Sequence, residues 1–402
     1  MTMPPPPNPY GGQPPYGGQP PHGGQPQWGA QPSWGGQPPA GDASGQFGGP
    51  PPWGPPPQQP QWGGPPSGPP PGKGGKGKWI LGGLVVLLAV ALAVTITVLV
   101  TRPDPDGNSP AGPGDDQASE YASADDTGPV NIITEDPTCD AWGRISRSYS
   151  DSAAAAGWAE RDDSVPAAGW NVEQRQMYEV VGESMATAAD AAVNLTKATP
   201  HRVMRELYEQ FIAYAEDFTT RLPDYVPTDG KLAVVVDSLS SALAMICSAI
   251  DFNSAEALAP LVEPSPTPTE VARPPSEAAD REIFLESPIG VCAAWEVEAE
   301  AFSSKVVGWQ AIDSNLSAAQ WSPEQRKTIE DTVPVMRASA QRLQELGGRS
   351  GNATFEDMAY LASRYRAAYA AGLPNYSSAD NFVSSAATYL VNFLLSACQA
   401  SE

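Results

Sequence analysis

Set against itself at an offset of 151 residues, the C-terminal part of this chain stays in register without a gap over ninety positions. Trp158 meets Trp309, Trp170 meets Trp321, and Glu173-Gln174-Arg175 meets Glu324-Gln325-Arg326. The match continues through Met185 and Met336, Tyr214 and Tyr365, Leu222-Pro223 and Leu373-Pro374, Tyr225 and Tyr376, to Cys247 and Cys398. Upstream, Cys139-x-x-Trp142 answers Cys292-x-x-Trp295 after a shift of two. Trp and Cys are scarce enough that this register marks two copies of one domain. Whatever fold one copy adopts, the chain must hold it twice.

Apolar spacing predicts that fold. Met177, Val181, Met185, Ala188, Ala192 and Leu195 recur in steps of three and four, as do Ile329, Val333, Met336, Ala340 and Leu343, which is the stripe of an amphipathic helix. Two more stripes follow in each copy: Leu207, Phe211, Tyr214 and Phe218 with their partners Met358, Leu361, Tyr365 and Tyr369, then Leu232, Val235, Leu239, Leu243 and Ile246 with Phe382, Ala386, Leu390, Leu394 and Ala397. An Ala- and Ser-rich first helix starts at Cys139 or Cys292. Ser322, Pro323 and Gln325 spell a capped helix start, and Pro334 should kink the helix that follows. Each copy therefore reads as four helices, with almost no strand signal.

Four Cys allow three pairings. In an up-down-up-down bundle the start of the first helix and the end of the fourth lie at one end. Cys139 and Cys247 hold those positions, as do Cys292 and Cys398, so one disulfide within each copy is expected.

Ahead of the duplication, Trp79 to Val100 is a run of twenty-two residues without a charge, long enough as a helix to cross a bilayer. Lys73, Lys76 and Lys78 precede it, whereas Asp104, Asp106, Asp115, Asp116 and Glu120 follow Arg102. The positive-inside bias then puts the N-terminus in the cytoplasm and the C-terminal domains outside. Residues 1–78 carry +2, and a chain total of −23 leaves −25 beyond them. Such acidity argues against nucleic acid as a partner, which needs basic patches to displace counterions. In the tail, Tyr10, Tyr16, His22, Trp28 and Trp34 recur every six residues in a Pro/Gly/Gln background. With almost no aliphatic residues this segment is expected to be disordered, its aromatics acting as weak multivalent contacts or as a spacer.

A PPYGGQP-type tail, the GKGGKGK collar and one transmembrane helix together resemble the single-pass envelope membrane proteins of actinobacteria, mycobacteria especially. The resemblance covers about the first hundred residues. It implies a cell-envelope location and no particular activity.

The expected architecture is thus all-α: one transmembrane helix plus two tandem, duplicated four-helix bundles, each with an intradomain disulfide, behind a disordered N-terminal tail. The boundaries are 1–78 for the cytoplasmic tail, 79–100 for the membrane helix and 101–137 for a disordered acidic stalk. Bundle copy 1 takes 138–250, a Pro-rich linker 251–290 and copy 2 291–402.

No catalytic inventory accompanies this plan. His201 is the only histidine beyond the tail, without the base-and-nucleophile pair or the His/Cys set that a triad or a zinc site needs. Asp104, Asp106, Asn108 and Asp115 fall at calcium-loop spacing, but Ser109 stands where the loop needs Gly. Glu173 and Glu324 are explained by first-turn placement, where an acid favours the helix dipole. The expectation is a non-enzyme with no cofactor and no metal. Its leading function is that of an adaptor or scaffold, integral to the membrane and with protein partners on both sides of it. The alternative is a module binding a lipid or small molecule in an apolar groove lined by Trp142, Trp158, Trp170, Trp295, Trp309 and Trp321. A cavity of several hundred Å³ along these rings would favour the alternative.

Overall fold

The computed structural model describes residues 120–275 and 281–402. The tail, the membrane segment, the first half of the stalk and the calcium-like run lie outside the described residues. From Tyr121 onward the described chain falls in one unit, helical and without strands.

Copy 1 contains α1 (Cys139–Ala155), α2 (Val172–Ala198), α3 (Arg202–Arg221) and α4 (Gly230–Asp251), followed by the short α5 (Ser254–Leu258). Copy 2 contains α6 (Cys292–Lys305), the one-turn α7 (Val307–Gln310), α8 (Pro323–Gly347), α9 (Ala353–Gly372) and α10 (Asp380–Ala400). Successive long helices pack side by side in each copy and the first closes back onto the fourth, which makes two four-helix bundles. The helix starts follow local rules. Ser322 accepts from the Gln325 amide in a capping box at α8, and Asn171 with Gln174 does the same at α2. Pro334 lies inside α8, and the helix continues through it.

Disulfides Cys139–Cys247 and Cys292–Cys398 tie the first helix of each copy to the fourth, with Cα atoms 5.2 and 5.5 Å apart. Those spacings are ordinary for a bridge.

Among the described residues the most extensive helix contact is not inside either bundle. It is between the two fourth helices, α4 and α10. They run antiparallel: Lys231 at the start of α4 reaches Gln399 near the end of α10, and Phe252 just past α4 stacks on Phe382 at the start of α10. Each fourth helix therefore buries one face in its own bundle and another against its counterpart. That explains why both are long and apolar enough to cross a membrane by composition yet are mostly buried in the unit. A helix covered on both sides has to be apolar nearly all round.

Residues 121–137 and the described part of 251–290 pack on the bundles rather than standing off as stalk and linker. Val130, Ile132, Ile133 and Leu285 are buried in the common core. Short apolar clusters, Val130–Ile133 and Ile283–Leu285, are enough to dock segments whose average composition is that of a linker. These two straps cross over. The one leading into α1 brings the Ile133 backbone beside the Tyr365 hydroxyl of copy 2, and the one leading into α6 brings the Leu285 backbone beside the equivalent Tyr214 of copy 1.

Each disulfide closes a span of more than a hundred residues, 108 and 106 in sequence. In the chain-entropy model removing one costs about 4 to 5 kcal/mol. Replacing Cys292 and Cys398 by Ser is expected to lower the thermal midpoint by several degrees, and because the bundles share a core, in a single transition with copy 1. Calorimetry showing copy 1 melting unchanged and separately would refute the shared core.

Candidate functional site

The repeated W-x-x-E-Q-R run builds the same corner in both copies. Trp170 donates its ring N–H to the Val165 carbonyl and Trp321 to the equivalent Leu316 carbonyl, at 2.8 and 3.2 Å. Arg175 and Arg326 donate to the carbonyls of Ala167 and Ala318. Tyr225 and Tyr376, from the turns after the third helices, donate to Asp163 and Ser314. Glu173 and Glu324 stay in the first helical turn, and Ser322 donates to Glu324. His201 takes the position before α3, with Nε2 2.8 Å from the Glu135 carbonyl.

The six tryptophans are all buried, at 0 to 9 % exposure. Trp142 meets Tyr208 and Phe211 edge-on, and Trp295 meets Phe355. Trp158 packs on Tyr178 and Phe218, Trp170 stacks on Tyr178, Trp309 meets Tyr369, and Trp321 stacks on Tyr376. Beside Trp309 lies a cavity of about 10 Å³, lined also by Phe302, Met336, Arg366 and Tyr369. That is room for one water. A second cavity, of about 310 Å³, is lined by Asn131, Ile132, Thr134, Ala259, Val262, Glu263, Pro264 and Arg364, and by none of the tryptophans.

Where α3 crosses α9, the fold buries a group of charges that the apolar spacing does not announce. Arg202 is 1 % exposed and forms a forked pair with Asp357, Nε to Oδ2 at 2.7 Å and Nη2 to Oδ1 at 3.1 Å. It also donates to the Asp126 and Gly128 carbonyls of the strap. One turn on, Arg205 pairs with Glu209 and donates to the Ala272 carbonyl of the other strap. Glu206 sits between the two arginines, 3.9 and 3.6 Å from them, with both carboxyl oxygens buried and its carboxyl against that of Asp357. Glu356 takes the Thr269 amide and hydroxyl.

Acids outnumber the arginines here, and burial disfavours their charged forms. Desolvation pushes Glu206 well above the carboxylate range, and it raises Asp357 against the opposing pull of Arg202. It lifts Glu209 to about 7 in spite of Arg205. One sequence signal foreshadowed this junction. At the offset of 151, Arg205 faces Glu356, a reversal of charge between otherwise matching helices, as expected where two copies meet each other rather than water.

Among the described residues no group of three or more His, Cys, Asp or Glu is arranged to hold a metal ion. The arrangement is that of a duplicated, disulfide-stapled helical module whose two halves share a core and an ionic junction. Residues 121–402 match the family described as mycobacterial ESX-1 associated protein, and the chain belongs to that family. It is 42 % identical over 326 residues to an uncharacterised protein of Mycolicibacterium smegmatis strain MKD8, a match covering 80 % of this chain and 86 % of that one. No solved structure matches the chain.

Two expectations follow from the junction. Arg202→Ala leaves Asp357 buried without its partner and should cost about 3 to 5 kcal/mol, whereas Arg202→Met with Asp357→Leu should recover most of it. Equal losses from both variants in chemical denaturation would show that the ion pair is not what matters at the crossing. The raised carboxyls also fix the sign of a pH effect. A folded-state pKa above the unfolded one means that folding takes up protons, so the contribution is fully present below the ordinary Glu range and is lost as pH rises. Between about pH 5 and 8, through the Glu209 value of about 7, stability should fall with rising pH. Glu209→Gln should flatten that slope, as read by midpoint against pH.

Proposed function

We propose that this protein is a non-enzymatic, single-pass membrane accessory of the ESX-1 secretion system. Its tail gathers partners in the cytoplasm, and its duplicated helical unit binds a protein component on the outer side of the membrane. The family supports an ESX-1 association. The cytoplasmic placement of the N-terminus rests on the Lys collar before Trp79 and the acid after Arg102.

The observation that favours a protein adaptor over a lipid carrier is the filling of both bundle cores. The aromatic rings that would line an apolar groove pack on one another, and the space beside Trp309 admits a single water. A lipid-sized ligand needs several hundred Å³ of largely apolar cavity.

The test is a mycobacterial host in which the full chain is compared with a version whose residues 121–402 are replaced by an unrelated exported helical domain. ESX-1 substrate export and in-cell crosslinking are measured together. The adaptor reading expects export to fall and crosslinks to ESX-1 components on the outer side of the membrane to vanish in the swapped protein. Unchanged export and crosslinks would reject it. Stoichiometric lipid released from the native full-length protein in mass spectrometry would give the carrier reading precedence.

A further inference from the structure

The two copies are alike enough that their differences point somewhere, and several of them converge on the 310 Å³ cleft. Its wall on copy 2 carries Arg364, whose guanidinium donates to the Glu263 carbonyl, to Gln344 and to Ser363. In copy 1 the positions equivalent to Gln344, Ser363 and Arg364 are Val193, Ile212 and Ala213. Three apolar residues in one copy have become a polar, cationic surface in the other, and the cleft lies beside that surface.

The straps differ at the same place. In the strap leading to α6, the Gln210 amide accepts from the Phe284 N–H and donates to the Glu282 carbonyl, pairing with backbone as a neighbouring strand would. The equivalent of Gln210 is Leu361, which has no such amide. Correspondingly, in the strap leading to α1, Asn131, Ile132 and Thr134 make no backbone hydrogen bond among the described residues, although Ile132 is buried. At one end of this run Val130 exchanges hydrogen bonds with Ser265, and at the other the Glu135 carbonyl meets His201. Between those anchors Asn131, Ile132 and Thr134 line the cleft, while the Ile133 backbone lies against Tyr365. Unpaired backbone groups next to a space of this size are a ready template for an added extended segment.

Arg364 selects the kind of segment. All its partners are uncharged, its Nε is buried without a hydrogen bond, and burial lowers its pKa, so the cation is under-compensated where it stands. A carboxylate entering the cleft would relieve it through a charge-assisted bond. The acidity of the whole chain opposes an acidic ligand but is screened beyond about 8 Å at physiological salt. The one carboxylate lining the cleft, Glu263, is on an exposed residue whose carbonyl, not its side chain, is held by Arg364.

We propose that the cleft between Asn131–Thr134, Ala259–Pro264 and Arg364 is a docking site for an extended segment of a partner protein, paired to the strap backbone and presenting an Asp or Glu side chain to Arg364. This names the contact surface of the adaptor proposed above and rests on that reading for its biological use.

The probes are two fluorescein-labelled pentapeptide pools, mixed in sequence except for a central Asp or a central Asn, titrated by anisotropy into the full-length oxidised protein. The Asp pool should bind saturably and about tenfold tighter than the Asn pool. Arg364→Gln should erase the difference, and Thr134→Pro, which removes an exposed backbone N–H, should weaken both pools. Helix content and the disulfide-linked peptides of each variant confirm that it is folded. Absence of saturable binding by either pool, or an Asp preference that survives Arg364→Gln, would overturn the proposal. If the pools fail while in-cell crosslinks to ESX-1 components persist, the docking site is wrong and the adaptor reading stands; loss of both removes the two together.

Discussion

The antiparallel contact of α4 with α10 governs the rest of the molecule. A four-helix bundle of about 110 residues built from Ala, Ser and Val has a modest core. Here the fourth helix of each copy is buried well beyond its bundle stripe, with Val236, Ser238, Ser241 and Ala249 also buried in α4 and Val383, Ser384, Val391 and Phe393 in α10. Exposing either second face would leave an apolar strip the length of a helix on the surface, which monomeric proteins avoid. The copies are therefore obliged to pair, and duplication within one chain supplies the partner at high effective concentration.

That pairing sets what the third helices can be. With α4 and α10 back to back, α3 and α9 are brought into contact at their starts, and the straps close over the crossing. From Arg202 to Ala215 every residue of α3 is buried, charged ones included. Two arginines alone would be untenable there, as would the acids alone. Placed together they satisfy part of each other's demand, and the strap carbonyls of Asp126, Gly128 and Ala272 satisfy more. The junction contributes less to net stability than to specificity. A slipped register would leave Arg202 or Asp357 buried without a counter-charge, and that is the arrangement such a cluster penalises most.

Much of this was legible in the residues. The duplication, the four helices per copy and the cysteines at the matching ends all follow from Trp, Cys and apolar spacing, because helical periodicity and rare residues survive without tertiary information. The capping box at Ser322 is readable for the same reason, whereas its counterpart at Asn171 lacks the first-position proline that marks a helix start. What the spacing could not convey was which outward faces are outward. Val235 and Val236 adjoin in sequence and are both fully buried, a pattern that a lone bundle does not require and a paired one does. Segments rich in Pro and Asp read as linker on average, and only the local clusters Val130–Ile133 and Ile283–Leu285 dock them. Contacts between elements far apart in sequence, such as Arg202 with Asp357, leave no periodic trace at all.

The departures from internal symmetry carry the functional information. Where the copies keep the same residues, as in the corners built by Trp170 with Tyr225 and Trp321 with Tyr376, the shared role is to pack and brace. Where they part, one chain holds two different surfaces on one scaffold. Copy 1 seats Asp237 among Tyr149, Trp158 and Arg161. At the equivalent place copy 2 has Thr388, and it runs a chain from the buried Arg366 through Ser339 to the half-buried Glu298 instead. Gln210 closes one strap by mimicking a strand, and Leu361 leaves the other open. Pairing through the fourth helices commits both copies to the fold and leaves each free to differ away from the faces on which α4 and α10 meet. The cleft beside Arg364 is such a place, bounded by α9, by a strap and by the chain between the copies.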